Sequence, residues 1–252
     1  MTKPVVLVLG SLFALMAAAC ASSSPTPTPD PGTASSSGGA TSGGGEPVAV
    51  DPTPTPADAT YPKENIGSAA STHNPKTGKV GNRGSIIQNF KFLGYPDGVG
   101  GEYKQVSLAN YHDPEGKTYK LIAIQAAGSW CSVCRTEMNI KKPIADQLKE
   151  MGVALITTLA EGNSGGVAST RNDLDKWMNS FKPNYAQLLD PGNQNLGIFY
   201  DAAALPWNGL VDARSMEILS SDVGLEYSTA DAMLKGFQGW IDFLATNSLA
   251  AK

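Results

Sequence analysis

The sequence predicts an α/β domain in which a largely parallel sheet is covered by helices on both faces. Two apolar, β-prone runs, at 121–126 and 153–159, read as central strands with both faces buried. Segments with helical spacing of apolar residues alternate with them. The order is β-α-β-α-β, then a β-hairpin and a closing helix, and such alternation implies parallel strands joined by helical crossovers. The chain also has enough material. Of its 252 residues, those at 21–60 are almost entirely Ser, Thr, Pro, Gly, Ala and Asp. That leaves roughly 190 for one domain with a real core.

The folded part begins near Ser85. Residues 86–93 suit a strand or an extended arm, ended by the turn Tyr95-Pro-Asp-Gly98. Residues 106–111 form a short element before a second turn, Asp113-Pro-Glu-Gly116. After the strand at 121–126, which only Gln125 interrupts, Met138, Ile144, Ala145 and Leu148 fall at helical spacing. Gly152 ends that helix and Pro143 should kink it. Residues 153–159 are the second strand and 161–166 a loop. Val167, Arg171, Leu174, Met178 and Phe181 mark the next amphipathic helix, with Trp177 beside the stripe. Residues 185–189 are a short strand, Asp190-Pro-Gly192 a turn and 196–200 a short helix. A strand at 207–211 pairs with 216–219 as a hairpin. Ser228-Thr-Ala-Asp231 is a capping box in its Asp form, and the helix after it places Ala230, Leu234, Phe237, Trp240, Ile241 and Leu244 on one side.

Ahead of this domain, Met1-Thr-Lys-Pro is followed by an uncharged apolar run from Val5 to Ala19. A transmembrane helix needs about 20 such residues, so the run fits the apolar core of a secretory signal better. It ends Leu15-Met-Ala-Ala-Ala-Cys20. This resembles a bacterial lipoprotein signal, in which the first residue after cleavage is a diacylated Cys, although Ala17 stands where Leu is usual. The resemblance implies a signal at 1–19, lipidation of Cys20 and attachment to a membrane of the cell envelope. The absence of Asp after Cys20 favours the outer membrane by the same resemblance. The plainer reading is an ordinary secretory signal that leaves Cys20 near a free N-terminus. Residues 20–60, with their Pro-Thr and Gly-Ser tracts, read as a disordered tether, and 61–84 as an irregular lead-in to a domain at 85–248. The net charge of −4 comes without any Lys/Arg run, so a nucleic-acid partner has no electrostatic footprint.

The chemistry lies in Trp130-Cys-Ser-Val-Cys134. A Cys-x-x-Cys at a strand-to-helix junction points to thiol–disulfide exchange. A static disulfide is the bland alternative. Zinc would need two further ligands, and His73 and His112, the two histidines, sit in polar turn-like segments that suit solvated side chains. Arg135 after Cys134 excludes the haem-attachment pattern Cys-x-x-Cys-His.

From Gly84 to Asn247 the chain resembles the thioredoxin superfamily, and within it the membrane-tethered TlpA/ResA-like redoxin branch. Four landmarks carry the resemblance: Val106-Ser-Leu-Ala-Asn-Tyr111; Trp130-Cys-Ser-Val-Cys-Arg-Thr-Glu-Met138; Leu205-Pro206 before a strand ending in Val211-Asp212; and the terminal hairpin and helix. It implies a thioredoxin-like fold, a central mixed sheet flanked by helices with an N-terminal strand extension. It implies Cys131 as the nucleophile at a helix N-terminus and Cys134 as the resolving thiol, the pair forming a redox-active disulfide with no other cofactor and no metal. Pro206 would be cis, with the backbone of Leu205 offered to a substrate strand and Trp130 shielding the cysteines. Glu137 matches a Glu of that branch that would move protons or tune the cysteines; a solvated helix carboxylate is its plain alternative. Gln125 stands where thioredoxins keep a buried Asp that handles protons, and Asn139 where many relatives have Pro.

The function implied is an extracytoplasmic oxidoreductase that reduces disulfides of cysteine-containing exported proteins and is recharged by a redox partner. Two other functions share the pattern. A tethered binding module would use the loops at 161–166 and 207–209 and keep the disulfide as a structural element. A peroxiredoxin would need Thr three residues before the reactive Cys, where this chain has Gly128.

Overall fold

The computed structural model describes residues 49–64, 72–73, 80–81, 84–201 and 204–246. The expected signal, Cys20 and the tether up to residue 48 lie outside the described residues. Seven strands form one mixed sheet: β1 (Lys91–Tyr95), β2 (Lys104–Ser107), β3 (Leu121–Gly128), β4 (Val153–Glu161), β5 (Ala186–Leu189), β6 (Trp207–Asp212) and β7 (Ile218–Val223). Their spatial order is β2-β1-β5-β4-β3-β6-β7. A separate two-residue pairing, Thr72–His73 with Val80–Gly81, falls in the expected lead-in.

Only β3–β4 and β4–β5 pair in parallel; the other four ladders are antiparallel. The largely parallel sheet expected from the strand–helix alternation is corrected here. Parallel pairing is confined to the two connections that carry a helical crossover; β1–β2 and β6–β7 join strands consecutive in the chain, and β1–β5 and β3–β6 are antiparallel ladders between strands far apart in sequence.

The helices are α1 (Ser132–Lys141), α2 (Ala145–Glu150), α3 (Arg171–Phe181) and α4 (Ala230–Thr246). Their buried apolar residues all join one cluster, with Leu121, Ala123, Leu155, Leu210 and Leu219 from the sheet. Among the described residues all four α-helices therefore lie against one face, not on both as the alternation implied. Both crossovers step in the same direction across the sheet, and right-handed connections then put their helices on the same side. The opposite face buries Ile122, Ile124, Ile156 and Trp207 under the 86–90 arm, the single turn Leu108–Tyr111 and residues 196–200.

Local chemistry sets the helix ends. A 3₁₀ turn at Lys142–Ile144, carrying Pro143, separates α1 from α2 at the expected kink. The stripe that began at Val167 is corrected: Val167 is 54% exposed and precedes the helix, which starts after Thr170. There Thr170 Oγ1 accepts the Asp173 N–H while Asp173 Oδ2 accepts the Thr170 N–H, a reciprocal cap. Trp177, placed beside the stripe, is in the core and donates its indole N–H to Gln187. At α4 the Ala232 N–H is capped by Thr229, one residue after the Ser228 of the expected box. Met233, Phe237 and Leu244 are its buried side chains. His112, expected in a solvated loop, is half-buried, with Nε2 3.3 Å from the Arg214 carbonyl and its ring edge-on to Tyr61.

Residues 49–61, the last part of the expected tether together with Tyr61, lie against the domain. Gln105 uses both halves of its side-chain amide on the backbone of Asp51. Lys91 Nζ donates to the Pro52 and Thr53 carbonyls and sits 3.5 Å from Asp58, and Tyr61 O–H donates to the Ile87 carbonyl. The backbone N–H of Thr55 and the side-chain amide of Asn89 hold the Asp58 carboxylate ionised, with a pKa of about 2. The segment is rich in Pro and Thr, and these polar contacts together with the Tyr61 ring packed on the core fix its position.

Candidate active site

β3 delivers the cysteines. It is buried along its full length and ends at Gly128, after which Ser129-Trp130 turn the chain into α1. Cys131 is the N-cap of α1, and its sulfur accepts the Cys134 N–H at 3.1 Å. That leaves one otherwise unpaired donor of the first turn aimed at sulfur, with the positive end of the helix dipole behind it, so a thiolate is favoured at this position. Cys131 and Cys134 are joined as a disulfide. Cys131 is 3% exposed and Cys134 is fully buried, which decides the sulfur a substrate can reach. The carbonyl oxygen of Leu205 lies 3.7 Å from the Cys131 sulfur, and the Leu205–Pro206 peptide bond is cis.

The surrounding loop is locked. Ser129 Oγ donates to the Gly162 carbonyl, and Arg135 Nε donates back to the Ser129 carbonyl. Trp130 stays 42% exposed, with its indole N–H held by Glu161 Oε2 at 2.7 Å. A side chain at Gly128 would meet the Trp130 indole nitrogen at 2.8 Å and the Leu205 side chain at 3.2 Å. The space that a side chain at Gly128, where a peroxiredoxin needs Thr, would take is filled by the Trp130 indole. Val133 is also exposed, so the disulfide opens onto an apolar rim.

Behind the cysteines a belt of buried polar residues crosses the sheet under α1. Asn208, Gln125, Thr157 and Gln187 stand side by side on β6, β3, β4 and β5. Thr157 Oγ1 donates to Gln125 Oε1 at 3.3 Å, and the Gln125 amide nitrogen is buried without a partner. Glu137 is fully buried, which rules out the solvated carboxylate. Its Oε1 lies 2.6 Å from Lys141 Nζ, itself 3% exposed, and its Oε2 accepts from the Asn208 side chain at 3.0 Å. Glu137 is three residues beyond Cys134 on the same helix, and such residues are neighbours on one face.

The structure therefore gathers Trp130, Cys131, Cys134, Leu205 and Pro206 at the carboxyl end of β3 and sets Glu137 directly behind them. It adds Glu161, Lys141 and Asn208, which the sequence reading did not place in the site. Among the described residues no three of His, Cys, Asp or Glu gather as a metal site.

A Cys-x-x-Cys opening the first crossover helix, faced by the Leu205 carbonyl at the start of an antiparallel neighbour strand, completes the arrangement. The fold is thioredoxin-like. No family model matches the chain, and no curated protein does. Solved structures similar to it include three bacterial proteins. One is a candidate thiol:disulfide interchange protein DsbE from Chlorobium tepidum, with 18% identity, TM-score 0.49, and 64% of this chain and 98% of that one covered. Another is the exposed lipoprotein thioredoxin of Streptococcus pneumoniae, with 21% identity, TM-score 0.45 and coverage of 60% and 99%. The third is StoA from Bacillus subtilis, with 20% identity, TM-score 0.42 and coverage of 60% and 98%. The thioredoxin-like fold of this chain is read from its own strand order and site. No helix among the described residues is long and apolar enough to cross a membrane.

Proposed function

We propose that this chain is an extracytoplasmic thiol–disulfide oxidoreductase that reduces disulfides of exported proteins, held to the cell envelope through lipidated Cys20. The observation that carries the chemistry is Cys131 at the N-cap of α1, its sulfur bound to the Cys134 N–H. In the reduced protein the Cys131 thiolate attacks one sulfur of a substrate disulfide. A mixed disulfide forms and one substrate thiolate leaves. Cys134 then gives up its proton and attacks the Cys131 sulfur. The Cys131–Cys134 bond is restored, the second substrate thiolate leaves, and two electrons have passed to the substrate. The deprotonation is the step a buried carboxylate such as Glu137 serves. A separate dithiol partner must return the electrons. The apolar rim of Trp130 and Val133 and the Leu205 backbone suit an extended polypeptide. The envelope location and the anchor rest on the signal-like sequence ending at Cys20.

The test is exchange between the reduced protein and glutathione disulfide or insulin. Wild type turns over, and Cys131→Ser loses exchange by a factor of at least about 10³ while keeping its fold. A wild-type protein whose disulfide equilibrates with neither glutathione nor dithiothreitol would sink the proposal and leave the disulfide a structural bond.

A further inference from the structure

We propose that Glu161 is a positioning residue for Trp130: it fixes the exposed indole as a wall beside the disulfide and so sets the affinity of the site for polypeptide disulfides, without acting on the sulfurs themselves. This deepens the thiol-exchange reading and rests on it.

The ladder between β3 and β4 puts Glu161 in place. Ala127 pairs with Leu159, but Gly128 pairs with Glu161, so Ala160 is skipped in a bulge near the end of β4. Bulges re-aim side chains, and this one sets Glu161 rather than Ala160 beside the turn into α1. Glu161 then holds both residues of that turn. Its carbonyl accepts the Ser129 N–H at 3.0 Å, and its side-chain Oε2 accepts the Trp130 indole N–H at 2.7 Å. The next residue is Cys131.

The far edge of the ring is held as well. A side chain at Gly165 would come within 3.5 Å of the indole Cζ2, so the 162–167 loop lies against the benzene edge. The Glu161–Ala168 bridge and the Gly162 N–H, donated to the Val167 carbonyl, close that loop.

The two partners differ in burial. Glu161 is 4% exposed, and a carboxylate so placed is costly unless it is hydrogen-bonded. Trp130 keeps much of its indole on the surface. An unrestrained indole there would lose rotamer freedom when a substrate docked, whereas one already fixed does not. The substrate that gains is one long enough to touch both the indole and the Leu205 carbonyl, which is an extended polypeptide with an apolar residue near its cysteine. Val133 and Val167, both exposed, offer it further apolar surface in the adjoining segments.

The experiment mixes the pre-reduced full chain with excess insulin and separates the half-saturating concentration from the limiting rate. Glu161→Leu should raise half-saturation about fivefold and keep the limiting rate within about twofold of wild type. Glu161→Gln, which retains an acceptor oxygen, should keep the wild-type half-saturation. The Trp130 indole proton, assigned by its loss in Trp130→Phe, should move upfield in Glu161→Leu and hold its place in Glu161→Gln. Trp130→Phe breaks the same bond from the other side. It should raise half-saturation by a similar factor even if Glu161→Leu does not fold, and adding Glu161→Leu to it should change little more. A limiting rate that falls while half-saturation holds, equal losses in Glu161→Leu and Glu161→Gln, or additive effects of Trp130→Phe and Glu161→Leu would overturn the proposal. Wild type that exchanges with neither insulin nor glutathione disulfide removes the underlying thiol-exchange reading instead.

Discussion

Two neighbours on β6 show how differently the two faces of this sheet are made. Trp207 points to the face opposite α1–α4 and stacks nearly parallel on Phe199 and Tyr200, with ring centroids 5.2 and 5.6 Å away. Gly209, two residues on, leaves room for its indole. Asn208 points to the helical face, where it joins Glu137, Lys141 and the polar belt. The first face is sealed by aromatic packing. The second accepts the cost of buried polar groups in the one place where α1 brings the cysteines. One pleat of backbone separates the packing surface from the chemical one, because side chains alternate along a strand.

The largest effect that separates the faces is Trp207→Ala. It removes a fully buried indole from a stacked trio and should cost about 3–5 kcal/mol in denaturant unfolding. Thiol exchange by the molecules that remain folded should stay near wild type. A variant that is stable but inactive would show that the two faces are coupled. Glu137→Ala comes next. It leaves the Lys141 ammonium buried without its partner, which costs about 3 kcal/mol. The double variant Glu137→Ala, Lys141→Met should recover part of that stability while exchange stays slow, and recovery of both would make the pair purely structural. The smallest effect belongs to Gln125→Leu. Its amide nitrogen already lacks a partner, so the lost bond to Thr157 and the removed unpaired donor should offset each other to within about 1 kcal/mol.

Much of this was legible in the chain. The apolar runs gave β3 and β4, Pro143 gave the break between α1 and α2, and the Cys-x-x-Cys spacing gave the disulfide. The side of the sheet on which the helices lie was not legible, because alternation of elements is the same whether successive crossovers step one way or reverse. Lys141 was also hidden. A lysine at helical spacing looks like a solvated residue, and only the fully buried Glu137 one turn earlier makes its burial tolerable. Asn208 meets α1 from a strand about 70 residues away, a relation that local pattern cannot carry. The ordered stretch at 49–61 was concealed for the same reason: its composition is that of a linker, and its anchors, Lys91, Asn89 and Gln105, lie on the domain.

That stretch has a mechanical consequence. A pull on the chain from residue 49 is taken up by Gln105 of β2 and by Lys91 and Asn89 at β1, at one margin of the sheet. β5 and β4 stand between that margin and β3. Polar clasps outside the sheet yield before the strand ladders do, so tension at the N-terminus is spent peeling residues 49–61 away while the reactive sulfurs stay in place.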